Sequence, residues 1–156
     1  MDVTALAELE AIRRLKAHYF RFLDGKRWQE WGSLFTEDAV LDTTDDAPEV
    51  VRGREAIVKV VSQAIGEALT IHHGHMPEID LAGPGRATGI WAMEDTLEYP
   101  GDPPALVIRG RGHYFEEYVK GADGRWRIQT LRLRRIWLEH NGVRVIPKPG
   151  EPPRRF

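Results

Sequence analysis

The chain has 156 residues, 42% hydrophobic and 29% charged, a size and balance suited to one domain with a real core. A net charge of −2 and a pI of about 6.3 exclude nucleic acid as a general partner, because binding phosphate backbones needs clustered positive charge. The absence of cysteine excludes disulfides, thiolate zinc sites and cysteine nucleophiles, and with no signal-peptide pattern or membrane-length apolar run it points to a cytoplasmic protein that engages no membrane.

Asp2 or Thr4 caps a first helix beginning near Val3, on which Leu6, Leu9, Ile12, Leu15, Tyr19 and Phe22 form one buried stripe. Asp24-Gly25 ends it, with Gly25 suited to the left-handed residue after a last turn. A short second helix is predicted from Trp28 to Phe35, its aromatics serving as packing. Thr36-Glu37-Asp38 then turns the chain into a strand over Ala39–Asp42. Asp45-Asp46-Ala47-Pro48 reads as a loop and Val50–Arg52 as a short strand. A third helix follows Gly53, with Ile57, Val61, Ile65 and Ala68 on one face. Four long strands are predicted near 70–81, 86–99, 105–120 and 125–138, separated by Gly/Pro/Asp turn signals. A last short strand covers Val143–Ile146, so the domain spans 1–146, and 147–156 is a proline-rich tail placed to cover a pocket mouth or a neighbouring subunit. Helices followed by antiparallel strands imply an α+β fold, helices packed on one face of a curved sheet whose open end encloses a small-ligand pocket.

Strand phase picks out the polar candidates. On the second long strand Ala87, Gly89, Trp91, Met93 and Leu97 share the apolar face with Asp95, a carboxylate that is costly there unless paired or functional. On the last long strand Trp126 and Ile128 start one apolar face, while Leu131, Leu133 and Trp137 continue in the other phase. A bulge near Thr130 reconciles them and places Arg135 inside; without it, the run Arg132 to Arg135 is a solvated outer surface. Three of six histidines, His72, His73 and His75, cluster at the start of the first long strand. Imidazole suits acid–base work or metal binding near neutral pH. Strict alternation groups His73 and His75 with Ile71, Ile79 and Leu81 and leaves His72 opposite, but a bulge at Pro77 breaks the phase. His73-x-His75 is spaced like a cupin metal pair, yet Glu78 comes too early and Gly83 too soon, and two preceding helices do not suit a cupin. His113 either lines the pocket or faces solvent, and His18 and His140 are read as surface residues.

The spacing Ile12-x-x-Leu15…Tyr19…Asp24…Trp31-x-x-Leu34-Phe35-x-x-Asp38-Ala39, then Gly53-Arg54-Glu55-Ala56-Ile57, Thr70-x-His72 and Gly124-x-Trp126-x-Ile128, resembles the SnoaL-like branch of the nuclear transport factor 2-like superfamily over roughly residues 5 to 138. The resemblance implies a cone: a curved, mainly antiparallel sheet wrapped around the N-terminal helices. It also implies proton-transfer chemistry on small, mostly apolar molecules without metal or cofactor, as in the family's dehydratases, dehydrochlorinase, cyclases and isomerase.

Carried over by position, the resemblance implies an Asp24–His72 dyad, with Tyr19 matching a first-helix tyrosine of the dehydratases. Asp95 and Arg135 fall near an acidic and a basic pocket residue. Trp91, His73 and His113 complete the expected pocket lining, with His73 in reserve as the base. Asp24 is in the last helical turn, facing the unfavourable end of the helix dipole, which suggests a role of its own. On an ideal helix it points away from the Tyr19 stripe, so it is expected to reach the pocket only where the helix has ended or turned. These readings lead to a cofactor-independent lyase of dehydratase type; isomerase or cyclase chemistry and a non-catalytic binding domain stay open beside it. The open sheet implies a homo-oligomer, either dimer or trimer.

Overall fold

The computed structural model describes residues 2–156. Helix α1 (Val3–Asp24) leads into a one-turn helix α2 (Trp28–Gly32), strand β1 (Phe35–Asp42), the short strand β2 (Val51–Arg52) and helix α3 (Arg54–Ile65). Strands β3 (Leu69–Leu81), β4 (Arg86–Tyr99), β5 (Leu106–Lys120), β6 (Trp126–His140) and β7 (Val143–Ile146) complete one seven-stranded sheet. Its order is β2-β1-β6-β5-β4-β3, with β7 paired to the end of β6. β1 runs parallel to β6 and every other pairing is antiparallel, so the sheet is mixed, curved and unclosed. The core lies between the inner sheet face and α1, with Ile12, Phe35, Ile57, Ile128 and Leu131 sealed from solvent. Among the described residues no helix is long and apolar enough to cross a membrane.

Three boundaries differ from the sequence reading. β1 starts at Phe35, inside the predicted second helix, because Phe35 pairs with Ile128 of β6 and its ring is fully buried. The third helix stops at Ile65; Ala68 is buried, but beyond the helix. Gly25 keeps a right-handed φ of −77°, and Lys26 takes the left-handed position at φ 56°. Arg27 N–H then reaches the Phe22 carbonyl at 2.8 Å and Lys26 N–H the Leu23 carbonyl at 3.1 Å, which is the Schellman closure with lysine where glycine is usual.

The bulges decide which side chains point inward. Between His75 and Glu78 β3 carries one extra residue, so Thr70, His72 and Gly74 share the inner face with Ile79. A register shift opposite Thr130 moves β6 from the Trp126/Ile128 phase to Leu131, Leu133 and Arg135, all buried. A second shift at Ile136 brings Leu138 inside and leaves Trp137 off the inner face, between the guanidinium groups of Arg111 and Arg144. Trp137 therefore does not continue the inner apolar set. Its outward turn is hidden in the sequence because Trp137 and Leu138 are both apolar.

Candidate active site

Asp24 and His72 are brought together by a glycine. Gly74, two residues after His72 on the same face of β3, has no side chain, and the Phe20 ring of α1 occupies that space. A Cβ there would stand 2.6 Å from the ring. Phe20 and Asp24 are four residues apart, hence on one flank of the helix. Pressing Phe20 onto Gly74 therefore lays Asp24 beside His72. The helix neither ends early nor turns: β3 packs along the Phe20 flank rather than the Tyr19 stripe.

The carboxylate of Asp24 is surrounded by donors. Oδ1 lies 2.7 Å from His72 Nδ1 and 3.0 Å from the Thr70 hydroxyl, and Oδ2 accepts the His72 backbone N–H at 2.9 Å. Thr70 Oγ1 itself accepts from the Lys26 ammonium at 2.8 Å, so its own hydrogen is directed to Asp24. With every partner donating to the carboxylate, Nδ1 of His72 carries a proton that it gives to Asp24. Nε2 faces the interior, 3.8 Å from Oδ2 of Asp95, and His72 is only 7% exposed.

Asp95 is opposite His72 in the register of β3 and β4, and Gly110 of β5 follows in the same row. Arg135 reaches across β5 above Gly110 to Asp95, with Nη1–Oδ1 at 2.7 Å and Nη2–Oδ2 at 2.9 Å. A Cβ at Gly110 would lie 2.1 Å from Arg135 Nη1, so the ion pair needs the bare backbone. The other edge of the guanidinium holds Asp46, with Nε–Oδ1 at 3.0 Å and Nη2–Oδ2 at 2.8 Å. Burial opposes the charge on Arg135, but Asp95 and Asp46 more than offset it, and the group stays cationic. Tyr19 and Tyr114 complete the interior. Burial drives both hydroxyls far above the usual phenol range, with Glu116 adding to the effect at Tyr19 and Tyr19 adding to it at Tyr114, so both remain neutral donors.

Of the residues singled out from the sequence, Asp24, His72, Asp95 and Arg135 form one chain of contacts. Tyr19 is buried beside Tyr114, with 6.1 Å between ring centroids. Trp91 is on the inner face and donates from Nε1 to Tyr118 at 2.8 Å. His73 and His113 are not in this group. His73 is exposed on the outer face with His75, both near Glu94 at 3.7 and 3.5 Å. His113 is on the outer face of β5, between the rings of Phe115 and Phe156, because Gly112 and Tyr114 take the inward phase. Neither of two open surface clefts, about 380 and 350 Å³, contains the dyad; one adjoins the start of α1 and the other is on the outer sheet face around Phe115.

Residues 4–132 match the model of the SnoaL-like domain. The chain belongs to the SnoaL-like family. Among curated relatives, a protein assigned as a cyclase in Gibberella zeae is 27% identical over 138 residues, covering 81% of this chain and 89% of that protein. A crystal structure assigned as a scytalone dehydratase from Novosphingobium aromaticivorans DSM 12444 is 28% identical with a TM-score of 0.80, covering 97% of this chain and 99% of that one. A type 2 hexachlorocyclohexane dehydrochlorinase, 19% identical with a TM-score of 0.77 over 97% of this chain and 100% of that one, shares the fold. The SnoaL-like family thus brings dehydratase, dehydrochlorinase and cyclase neighbours to this chain, and its named relatives are enzymes.

Sequence reasoning missed a second polar group in the interior, apart from Asp24 and His72. Lys16 and Glu116 form an ion pair with both side chains fully buried. The ammonium is 3.7 Å from the Tyr19 ring centroid and 4.0 Å from that of Tyr114. Glu116 also accepts the Tyr118 hydroxyl. Burial pulls the Lys16 ammonium below the usual lysine range, and Glu116 opposes that shift. A signal was present: Ile12, Lys16 and Tyr19 share the helical stripe, and Glu116 alternates with Tyr114 and Tyr118 on one strand face. Thr70, Lys26 and Asp46 carried no such signal, since each acts through a contact that only the folded chain creates.

Proposed function

We propose that the protein is a cofactor-independent lyase of dehydratase type acting on a small hydrophobic or polycyclic molecule. The observation that carries this reading is the 2.7 Å contact from His72 Nδ1 to Asp24, with Nε2 turned toward the interior, 3.8 Å from Asp95. His72 Nε2 takes a proton from a carbon next to an activating group, and Asp24 orients the ring and stabilises the imidazolium. Tyr19 donates to the developing enolate oxygen. The C–O bond then breaks, the imidazolium returns its proton to the departing hydroxyl, and an alkene and water leave. Asp95, paired with Arg135, lies on the far side of the ring, 3.8 Å from Nε2.

Screening hydroxylated steroid, polyketide and aromatic compounds for loss of water tests the reading. His72→Ala and Asp24→Asn are expected to lower turnover by at least about 10²-fold while the circular dichroism spectrum is unchanged. Full activity in either variant refutes the dyad. A cyclase reaction uses the same base without a leaving group, and the relative assigned as a cyclase favours it as the second reading. Product analysis separates the two, because only elimination changes the mass of the product. The exposed Leu69 and Ile71 on the outer face of β3 support a homo-oligomer, dimer or trimer, which light scattering would detect.

A further inference from the structure

Arg135 holds two carboxylates of unequal permanence. Asp95 is in the middle of β4 with its side chain 3% exposed. Asp46 is on the irregular segment between β1 and β2, and its side chain is 30% exposed. Two carboxylates on one guanidinium leave a negative charge in excess, and a ligand arriving from solvent meets Asp46 first. Next to it, Asp45 accepts the Arg135 backbone N–H at 2.7 Å and pairs with Arg154 at 2.8 Å. The segment therefore stays attached to β6 when Asp46 lets go.

We infer that the Nε–Nη2 edge of Arg135 is a carboxylate-binding site, occupied here by Asp46, and that the substrate is a small apolar acid whose carboxylate takes Asp46's place. The identity of this ligand as a substrate rests on the lyase reading; the site itself does not. The geometry is that of a side-on carboxylate, both oxygens engaged at 3.0 and 2.8 Å, which a ligand acid reproduces atom for atom. The exchange keeps the interior charge unchanged and sends Asp46 into water. It also puts the ligand beside the ion pair that adjoins His72. Asp95 Oδ2 is hydrogen-bonded to Arg135 Nη2 at 2.9 Å and lies 3.8 Å from His72 Nε2, so anchor and base flank one carboxylate.

The test titrates 2-naphthoate and its neutral isostere 2-naphthamide into the wild-type chain and into Asp46→Asn. If Asp46 competes for the edge, its removal tightens naphthoate binding by about tenfold or more, since the open fraction of sites rises, while naphthamide affinity stays as in wild type. The gain should vanish in Asp46→Asn/Arg135→Met. Should that double variant fail to fold, a shift of the Arg135 Nε resonance in Asp46→Asn on adding naphthoate, absent with naphthamide, serves instead. Equal naphthoate affinity in wild type and Asp46→Asn overturns the inference. So does a parallel change for acid and amide, which is what a purely structural clamp produces. Repeating the titration in His72→Ala separates the two readings. An intact naphthoate response there, with no dehydration found, removes the reaction and keeps the anchor; a lost response in a chain whose turnover needs His72 does the reverse.

Discussion

Replacing Gly74 by alanine tests whether the Phe20–Gly74 contact sets the spacing of Asp24 and His72. The added Cβ stands 2.6 Å from Cε2 and Cζ of Phe20 and 3.4 Å from Cε3 of Trp91. Carbon atoms in contact rest about 3.5–4.0 Å apart, so the ring has to retreat by roughly 1 Å. It has little room to swivel: Tyr19 meets it edge-on at 5.4 Å between centroids, Tyr114 is at 6.2 Å, and the Lys16 ammonium is 5.0 Å from its centre. The strain goes into separating α1 from β3. Asp24 is on the same flank one turn further on, so its 2.7 Å contact with Nδ1 stretches to about 3.7 Å and is no longer a hydrogen bond. Overpacking of this size costs about 1–3 kcal/mol. A misplacement of about 1 Å in the acid–base pair lowers turnover about 10²-fold. Urea denaturation gives the first quantity, and ¹⁵N resonances of the His72 ring report the loss of the Asp24 contact directly. A Gly74→Ala protein with a wild-type urea midpoint and unchanged His72 ring resonances refutes the reasoning.

Lys16→Met strands Glu116 in the core and is expected to destabilise by about 3–5 kcal/mol, whereas Lys16→Met/Glu116→Gln recovers most of that loss; a double-mutant cycle in urea measures both. Tyr19→Phe keeps the ring and removes the donor, so kcat should fall about 10²–10³-fold while stability moves by no more than about 1 kcal/mol. The Arg134 guanidinium and the Thr44 hydroxyl and N–H hold the Asp42 carboxyl well below the usual carboxylate range, against the opposing effect of burial. A carboxyl depressed in the folded state adds stability above its unfolded pKa of about 3.9 and loses it as pH falls further. Urea midpoints of the wild type should therefore drop below about pH 4, and those of Asp42→Asn should drop less steeply over the same range.

The order of helices and strands was legible because hydrophobic period and turn residues change together along the chain. The inward turn of Arg135 was legible as well, because Trp126 and Ile128 conflict in phase with Leu131 and Leu133 and only a bulge reconciles them. Periodicity failed where two neighbours are equally apolar, as at Trp137 and Leu138, and where pairing outweighed helical pattern, as at Phe35. His72 could be placed only by the family resemblance, since Pro77 hid the phase that the bulge restores. The expectation that Asp24 reaches the pocket only where the helix has ended or turned failed because the stripe from Leu6 to Phe22 leaves out Phe20. It makes a second, narrower contact line with Asp24, and its partner is a glycine, the residue that contributes least to any hydrophobic pattern.

The buried Lys16–Glu116 pair bears on how sequences of this shape can diverge. Either charge alone is a heavy burden on the fold, while both together, or neither, are tolerated. A lineage holding the pair therefore leaves it only by two nearly simultaneous changes, at positions 100 residues apart in the chain. Substitutions around Tyr19 and Tyr114 accumulate on top of a fixed electrostatic floor, and the choice made at Lys16 constrains which side chains can ever face the interior from that side.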